Sequence, residues 1–265
     1  MHKIALAIQK GGTAKTTSTL CLGGALTLQG HRVLLIDLDP QANLTSSLID
    51  KTGLEEITTI YNVLTEENAR LADAIVETSV GIDLVPSTMR LALAEMSLIT
   101  AYNRERKLTT ALEELEEELA AAGADAGYDF ILMDCPPSLG VLTVNALAAA
   151  DYVIVPLQTG QYALEGLNDF LTTVNGIKRG KVNSKLELLG ILLTMCTNNR
   201  VSKDVVANVR SLMGDKVFRT QISSRAILAE TGMKGPIQAY APNSESSQEY
   251  NNLAQEVLEY VSAKR

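Results

Sequence analysis

Short apolar runs alternate along the chain with segments whose apolar residues recur at helical spacing. The runs predict strands at residues 3–8, 32–36, 81–86, 129–134, 152–156, 186–193 and 217–222. Helical patterns separate most of them, at residues 16–29, 91–99, 104–122, 142–149, 163–177 and 202–213. Such alternation predicts an α/β fold: a mostly parallel, twisted sheet with helices on both faces and ligands at the carboxyl ends of the strands.

The alternation continues without a break from one end of the chain to the other. No Pro/Gly/Ser-rich linker or repeat divides the 265 residues, of which 46% are hydrophobic, so we expect a single domain spanning residues 1–265. The apolar runs are shorter than the roughly 20 residues that cross a bilayer, and residues 1–8 lack a signal-peptide pattern. We therefore expect a cytoplasmic protein without stable membrane binding.

Charge and cysteine content exclude some classes of function. The formal net charge of -8 argues against a protein that coats nucleic acid with its whole surface, but a local basic patch remains compatible with it. The three cysteines lie far apart in apolar or motif contexts, which fits neither a disulfide framework nor a zinc site.

A glycine-containing loop joins the first predicted strand to the first predicted helix. Residues 9–17 read Gln-Lys-Gly-Gly-Thr-Ala-Lys-Thr-Thr. The amides of such a loop and the positive end of the helix make an anion site, and the glycines let phosphate oxygens approach. Lys15 can then reach the β- and γ-phosphates, while Thr16 can ligate Mg²⁺. We expect ATP or ADP to bind through Lys10, Gly11, Gly12, Thr13, Ala14, Lys15, Thr16 and Thr17.

Acidic residues stand at the ends of two further predicted strands. Asp37 and Asp39 follow the second strand, and Asp134 ends a later one. Parallel strands end at the same sheet edge as the loop, so these acids are expected to converge on a Mg²⁺–phosphate centre. We predict Thr16, Asp39 and Asp134 as magnesium ligands, directly or through water. Taken singly, Asp39 also fits an Asx turn before Pro40, and Asp134 a helix cap.

These motifs resemble those of a known family. The signature Lys-Gly-Gly-x-x-Lys-Thr-Thr at residues 10–17 looks like the deviant Walker A loop of the ParA/MinD ATPases. Residues 37–43 are similar to the Walker A′ motif of the ParA/Soj branch, and residues 134–138 resemble its Walker B motif. Further similarity to Soj-type partition ATPases covers nearly the whole chain, at residues 156–158, 163–166, 193–195, 214–219, 240–242 and 250–258.

The resemblance implies a P-loop NTPase that dimerises when it binds ATP. Lys10 matches the family's signature lysine, which reaches the phosphates of the other subunit, and Lys15 matches the lysine that binds phosphates in its own subunit. Asp39 matches the acid that positions the hydrolytic water, and Asp134 matches the Walker B acid. We therefore expect Lys10, Lys15 and Asp39 to be catalytic and Asp134 to bind the nucleotide's magnesium.

The resemblance also implies a role in DNA partition. An ATP-dependent homodimer would bind DNA non-specifically on the nucleoid, and a ParB-like partner protein would stimulate hydrolysis and release the dimer. The candidate contacts to DNA phosphates are Lys178, Arg179, Lys181, Arg200, Lys203, Arg210, Arg219 and Arg225. Because a dimer presents two copies of each, an acidic chain can still bind DNA cooperatively and in a salt-sensitive manner.

Two stretches depart from the family pattern. Ala14 stands where the family has glycine, directly before the Walker A lysine, and residues 222–225 read Ile-Ser-Ser-Arg where Soj-like proteins usually read Ile-Pro-Arg-Asn. By resemblance, the second stretch lies near the adenine and near a DNA-binding surface. We expect Ser223, Ser224 and Met195 to belong to the nucleotide site, and Arg225 is a hypothetical substitute for the displaced arginine.

Other functions on this scaffold remain as alternatives. A MinD-like positioning ATPase would act at a membrane or on a protein cargo. Residues 246–265 carry an apolar stripe with acids around it, which predicts a docking helix and speaks against a membrane anchor. A ligase or an iron–sulfur reductase would need an acceptor-substrate motif or paired cluster cysteines, and neither is identifiable. A tyrosine autokinase would need a C-terminal tyrosine cluster, which the eight tyrosines do not form.

Substitution of Ala14 tests the departure in the phosphate loop. We expect ATP binding in the natural sequence but slow hydrolysis, because the extra methyl group lies beside the phosphates. An Ala14→Gly variant should therefore hydrolyse ATP faster in a steady-state phosphate-release assay. An unchanged or lower rate would show that the methyl group does not limit turnover.

Overall fold

Among the residues that the structure describes (1–50, 52–123, 126–160 and 162–264), eight strands form one sheet in this computed structural model. The strands are β1 (His2–Leu6), β2 (Val33–Asp37), β3 (Val76–Glu77), β4 (Asp83–Val85), β5 (Phe130–Asp134), β6 (Tyr152–Gln158), β7 (Glu187–Cys196) and β8 (Val217–Ser223). Their order is β3-β4-β2-β5-β1-β6-β7-β8, and only β3 and β4 pair antiparallel. The predicted α/β fold with a mostly parallel sheet is confirmed.

Helices cover both faces of this sheet. They are α1 (Lys15–Leu28), α2 (Asn43–Leu48), α3 (Ile60–Thr65), α4 (Leu91–Leu98), α5 (Lys107–Ala122), α6 (Val141–Ala149), α7 (Ala163–Arg179), α8 (Arg200–Met213), α9 (Thr231–Lys234), α10 (Ile237–Tyr240) and α11 (Glu245–Ser262). Successive residues of a strand point to opposite faces, so Ile4 and Leu6 pack with α1 and α11, whereas Ala5 packs with α6 and its neighbours. In the described part of the chain, no helix is long and apolar enough to cross a membrane.

Several short elements escaped the sequence prediction. The helices α2, α3, α9 and α10 have four to six residues each, and β3 has two. One or two turns are too short to show a hydrophobic period, and such helices form through tertiary packing rather than through their own propensity. Element ends also shifted: β1 ends at Leu6 rather than at Ile8, and β7 continues to Cys196.

The C-terminal helix docks on the sheet as its apolar stripe predicts. Leu253, Val257 and Val261 of α11 are buried, and the helix packs against α1 and β8. The predicted segment extends to Arg265, which lies outside the described residues. The carboxylate of Glu256 accepts hydrogen bonds from two backbone amides of the edge strand β8, those of Arg219 and Thr220, each at 2.7 Å. The helix therefore covers part of the strand's free edge.

The packing of α1 leaves no room for a side chain at Gly24. A Cβ atom there would lie 2.7 Å from Cβ of Pro236 and 2.8 Å from Oε1 of Gln238, both at the start of α10. We expect Gly24→Ala to lower the free energy of unfolding by about 1–3 kcal/mol through overpacking. Urea denaturation measures this change.

Gly176 provides the matched control within a helix. No atom lies within 4 Å of the position that a Cβ atom would take there, in the exposed part of α7. Gly176→Ala should raise stability by roughly 0.5–1 kcal/mol, because alanine loses less backbone entropy in a helix. Equal effects of the two substitutions would contradict the close approach of α1 and α10.

Candidate nucleotide and magnesium site

The predicted phosphate loop connects β1 to the first turn of α1. Gly12 and Ala14 both adopt left-handed backbone conformations, with φ angles of 69° and 61°. No atom lies within 4 Å of the position that a Cβ atom would take at Gly11 or Gly12, so this side of the loop is open. When backbone conformations alternate just before a helix, the amides point toward a common centre and favour the binding of an anion there.

Lys15 is the buried cation of this loop. Only 7% of the residue is exposed, and its Nζ donates a hydrogen bond of 2.8 Å to the backbone carbonyl of Lys10. Burial lowers the pKa of the Lys15 ammonium, and the negative charge of Asp134 is the strongest opposing effect. A buried cation beside the open loop is suited to binding a phosphate group.

Asp134 lies at the end of β5, deep in the sheet edge. It pairs in register with Leu6 of β1 and with Asp37 of β2, and it is fully buried. Burial and the charge of Asp37 raise its pKa well above the usual range, while the nearby Thr16 hydroxyl and the charge of Lys15 act in the opposite direction. The strand ends bring together the residues that the sequence predicted for the magnesium centre.

The oxygens of Asp134 are incompletely paired, which fits a metal site. Its Oδ1 accepts a long hydrogen bond of 3.4 Å from Thr19, and its Oδ2 has no hydrogen-bond partner among the described residues. An unpaired buried carboxylate oxygen is costly unless it meets a cation. Magnesium prefers oxygen ligands and retains several waters, so one carboxylate and the Thr16 hydroxyl are an adequate protein contribution.

Asp37 organises the loop that carries Asp39. Its carboxylate accepts hydrogen bonds from the amide of Asp39 at 3.1 Å, and from the amide and hydroxyl of Thr45 at 2.9 and 2.7 Å. The Thr45 hydroxyl accepts from the amide of Ser87 at 2.9 Å, and the Ser87 hydroxyl donates to the carbonyl of Asp39 at 2.8 Å. Asp37 thus supports the loop instead of facing the open side of the site.

Asp39 itself lies at the rim of the site. Its carboxylate accepts the amide of Gln41 at 2.9 Å, so it does form the Asx turn that the sequence also allowed. It is close enough to the centre to oppose the lowering of the Lys15 pKa and to contribute to the raising of the Asp134 pKa. The turn and a role at the metal centre are therefore compatible, because the carboxylate remains partly exposed.

The conformation of Ala14 gives a physical reason for glycine at this position in the family. A left-handed backbone brings the Cβ atom of an L-residue close to its own carbonyl oxygen, at a cost of about 1–2 kcal/mol that glycine avoids. Ala14 is the residue that precedes α1 and is partly exposed. Backbone strain therefore accompanies the added methyl group.

A cavity of about 410 Å³ continues from the phosphate loop toward α11. It brings together the predicted adenine-site residues Met195, Ser223 and Ser224. They are joined around it by Gly12, Ala14, Thr17, Ile222, Arg225, Ala226, Leu228, Ala229 and Tyr250. A mainly apolar pocket of this size beside an anion loop suits the base and sugar of a nucleotide.

Sequence reasoning missed the residues that support this cavity from behind. Tyr250 is fully buried on α11, and its hydroxyl lies 3.3 Å from the Ser18 hydroxyl of α1. Thr45 and Ser87, which hold the Asp39 loop, were also missed. A buried tyrosine in an amphipathic helix gives no sequence signal beyond the apolar stripe, and the Thr45–Ser87 hydrogen bond joins residues distant in sequence.

Three of the predicted DNA contacts are held by other parts of the chain. Arg210 donates to the backbone carbonyls of Phe218 and Arg219, and Arg219 pairs with Glu256 and Glu259. Arg225 pairs with Glu245 and Glu249 on α11. In contrast, the side chain of Arg200 is 94% exposed and lies 3.6 Å from Asp204. The remaining candidates are Lys178, Arg179, Lys181 and Lys203.

The fold and the site define a P-loop nucleotide-binding protein, and the comparisons with known proteins agree. Residues 1–188 match a family model described as an AAA domain. The chain is 41% identical to the sporulation initiation inhibitor protein Soj of Bacillus subtilis, over 96% of this chain and 97% of that one. It is 42% identical to the chromosome partitioning protein ParA of Caulobacter vibrioides, over 97% and 94%.

A solved structure similar to this chain contains a bound nucleotide and magnesium. The cobyrinic acid a,c-diamide synthase of Mycobacterium smegmatis, solved with ADP or an ATP analogue and magnesium, superimposes with a TM-score of 0.83 at 35% identity. The match covers 100% of this chain and 97% of the other. The chain belongs to the ParA/Soj-type family of partition ATPases, and its cofactors are ATP or ADP with Mg²⁺.

Substitution of Thr45 tests the network that holds the Asp39 loop. A valine side chain has the same shape but neither donates to Asp37 nor accepts from Ser87, while the backbone amide of residue 45 can still donate to Asp37. We expect Thr45→Val to lower the free energy of unfolding by about 2–3 kcal/mol, because two buried polar groups lose a partner. Thermal and urea unfolding measure the loss.

Thr172→Val is the matched control on the exposed side of α7. The Thr172 hydroxyl donates only to the carbonyl of Asn168 one turn earlier. Its replacement should change stability by no more than about 0.5 kcal/mol. A Thr45→Val variant as stable as this control would show that the network does not hold the loop.

Proposed function

We propose that this chain is an ATP-driven switch for DNA partition, which dimerises with ATP, binds DNA as the dimer and is released when a partner protein stimulates hydrolysis. One observation carries the proposal most directly. The buried Lys15 ammonium and the half-paired Asp134 carboxylate converge at the open phosphate loop. This arrangement supports a nucleotide with its metal, and membership of the partition family supports the cellular role.

In this proposal each loop residue has one task at the phosphates. The loop amides and Lys15 bind the phosphate oxygens, and Thr16 and Asp134 hold the metal, with Asp39 near them. When bound there, magnesium would supply positive charge that offsets the charge of the phosphates. Asp39 orients the attacking water from the rim, where its carboxylate is partly exposed. Turnover is slow because Ala14 strains the loop.

Lys10 links nucleotide binding to dimerisation in this proposal. Its backbone carbonyl accepts the hydrogen bond from Lys15, while no hydrogen bond or ion pair joins its own ammonium to the described residues. An ammonium at the mouth of the loop can reach phosphates on a second subunit. Its charge then balances the triphosphate only when two copies meet, so the nucleotide state sets the oligomeric state.

DNA binding by the dimer depends on basic residues that the chain leaves exposed. Arg200 and Lys203 lie one turn apart at the start of α8, and both are exposed. Their charges favour phosphates without selecting a base sequence. A ParB-like partner and a cytoplasmic, nucleoid-associated location complete the proposal, because the family resemblance of the motifs implies them.

A second candidate follows from the solved diamide synthase. An amidating enzyme would need a large acceptor site beside the phosphates, in addition to the nucleotide cavity. The cavity beside the Asp39 loop, which Ala42, Leu54, Ile57 and Met89 help to line, has a volume of about 240 Å³. This is below the roughly 300–1,000 Å³ of ordinary small-molecule sites. Stimulation of ATP turnover by cobyrinic acid would favour this candidate over partition.

Light scattering coupled to gel filtration tests the switch. The protein should be monomeric with ADP and dimeric with ATP. Lys10→Ala should abolish the ATP-dependent dimer, because the variant lacks the positive charge that would meet the phosphates of the second subunit. Lys185→Ala, which removes an exposed lysine at a distance from the loop, is the control and should dimerise normally.

The same samples with DNA fragments or anionic vesicles test the cargo. Only the ATP form should bind DNA, with an affinity that falls steeply as salt rises. ATP-dependent binding to vesicles without binding to DNA would replace partition with membrane positioning.

A Lys10→Ala protein that still dimerises with ATP would contradict the role of that lysine.

A further inference from the structure

Arg225 belongs to a group of charged side chains that joins the end of β8 to α11. Its two terminal nitrogens donate to different carboxylates, to Glu249 at 2.7 Å and to Glu245 at 2.5 Å. Glu249 also accepts from the amide and the hydroxyl of Ser223, at 3.0 and 2.7 Å. We call Ser223, Arg225, Glu245 and Glu249 the α11 clamp.

The clamp includes part of one wall of the nucleotide cavity, because Ser223 and Arg225 line the cavity while Glu245 and Glu249 hold them from α11. Residues 222–226 line that wall, together with Leu228 and Ala229, and the residue after Glu249 is Tyr250, which lines the cavity from α11. The wall has other attachments. The amide of Ser224 donates to the carbonyl of Cys196, and the Tyr240 hydroxyl donates to the carbonyl of Ile227. In the clamp, side chains attach the wall to α11, the helix whose Tyr250 also lines the cavity.

The clamp is shielded enough to hold its geometry. The side chain of Glu249 is 18% exposed and that of Arg225 is 30% exposed, whereas Glu245 is 81% exposed. Charge-assisted hydrogen bonds of this kind are stronger than neutral ones, and a guanidinium fork fixes direction as well as distance. The Arg225–Glu249 half of the clamp is therefore its stronger half.

This arrangement argues against Arg225 as a contact to DNA. A DNA phosphate would have to displace a carboxylate from a guanidinium whose two ends are already occupied. Removal of the arginine would instead leave Glu249 with a net negative charge beside the nucleotide cavity and would release the wall from α11.

We propose that Arg225 is a positioning residue of the nucleotide cavity: with Glu249 and Glu245 it fixes the wall of residues 222–229 against α11 and thereby sets the affinity for the nucleoside part of the ligand. The inference depends on nucleotide binding alone. The proposed role of Arg225 does not require dimerisation, DNA binding or partition.

Calorimetry with two ligands separates this role from a general loss of structure. Magnesium ADP contacts both the phosphate loop and the cavity, whereas magnesium pyrophosphate contacts the loop alone. For Arg225→Ala we expect ADP affinity to fall about tenfold, which corresponds to about 1.4 kcal/mol, with pyrophosphate affinity unchanged. Arg70→Ala is the matched control, because that arginine also pairs with two carboxylates, those of Asp73 and Glu118, but does not line the cavity, and it should leave both affinities unchanged.

A second variant covers the case in which Arg225→Ala does not fold. Glu245→Gln weakens only the exposed half of the clamp, and it should lower ADP affinity in the same direction but by a smaller factor. For either variant, unchanged ADP affinity would overturn the proposal. An equal loss for ADP and pyrophosphate would also overturn it, because the effect would then not be specific to the nucleoside.

DNA binding at saturating ATP supplies the last discriminating measurement. Arg225→Ala should bind DNA with the affinity and salt dependence of the natural sequence. A uniform loss of DNA affinity with a salt slope reduced by about one unit would identify Arg225 as a phosphate contact and overturn the proposal.

Discussion

The site depends on the burial of the Asp134 carboxylate at a sheet edge where it has too few hydrogen-bond partners. Register places this carboxylate next to Asp37 at the ends of adjacent strands, and burial raises the pKa of both, that of Asp37 to about 6. One buried lysine, Lys15, partly offsets this accumulation of negative charge. The centre is thus electrostatically incomplete in the protein alone, and a divalent cation with a polyphosphate would complete it. The same buried negative charge would favour binding of the metal and disfavours the protein without it.

The two buried aspartates, Asp37 and Asp134, have different roles. Asp37 accepts hydrogen bonds from Thr45 and from the amide of Asp39 and so holds the turn in place. Among the described residues, one oxygen of Asp134 has no hydrogen-bond partner, which leaves it available to a metal. The same residue type therefore supports the backbone in one strand and the chemistry in the next. Ser87 extends the support by binding the carbonyl of Asp39, so that the β4–α4 connection sets the position of the rim acid.

Much of this architecture could be predicted from the sequence, for reasons that differ between elements. Buried parallel strands are continuous apolar runs, and the phosphate loop combines glycines with Lys15 at a fixed spacing, so both produce a local signal. The α11 clamp and the Thr45–Ser87 hydrogen bond produce none, because each joins residues that are distant in sequence and common at surfaces. Arg225 illustrates the limit: sequence suggested a substitute for a displaced arginine, and only the position of α11 showed that two glutamates hold it.

The edges of the sheet also bear on how copies of this protein can assemble. At one edge, Glu249 and Glu256 occupy three amides of β8 that would otherwise be free to pair with another strand. At the other edge, β3 is only two residues long. In the part of the chain that the structure describes, neither border offers the long run of unpaired backbone that strand addition requires. If copies of this chain form polymers, we therefore expect helical and loop surfaces to join them, and not a continuous intermolecular sheet.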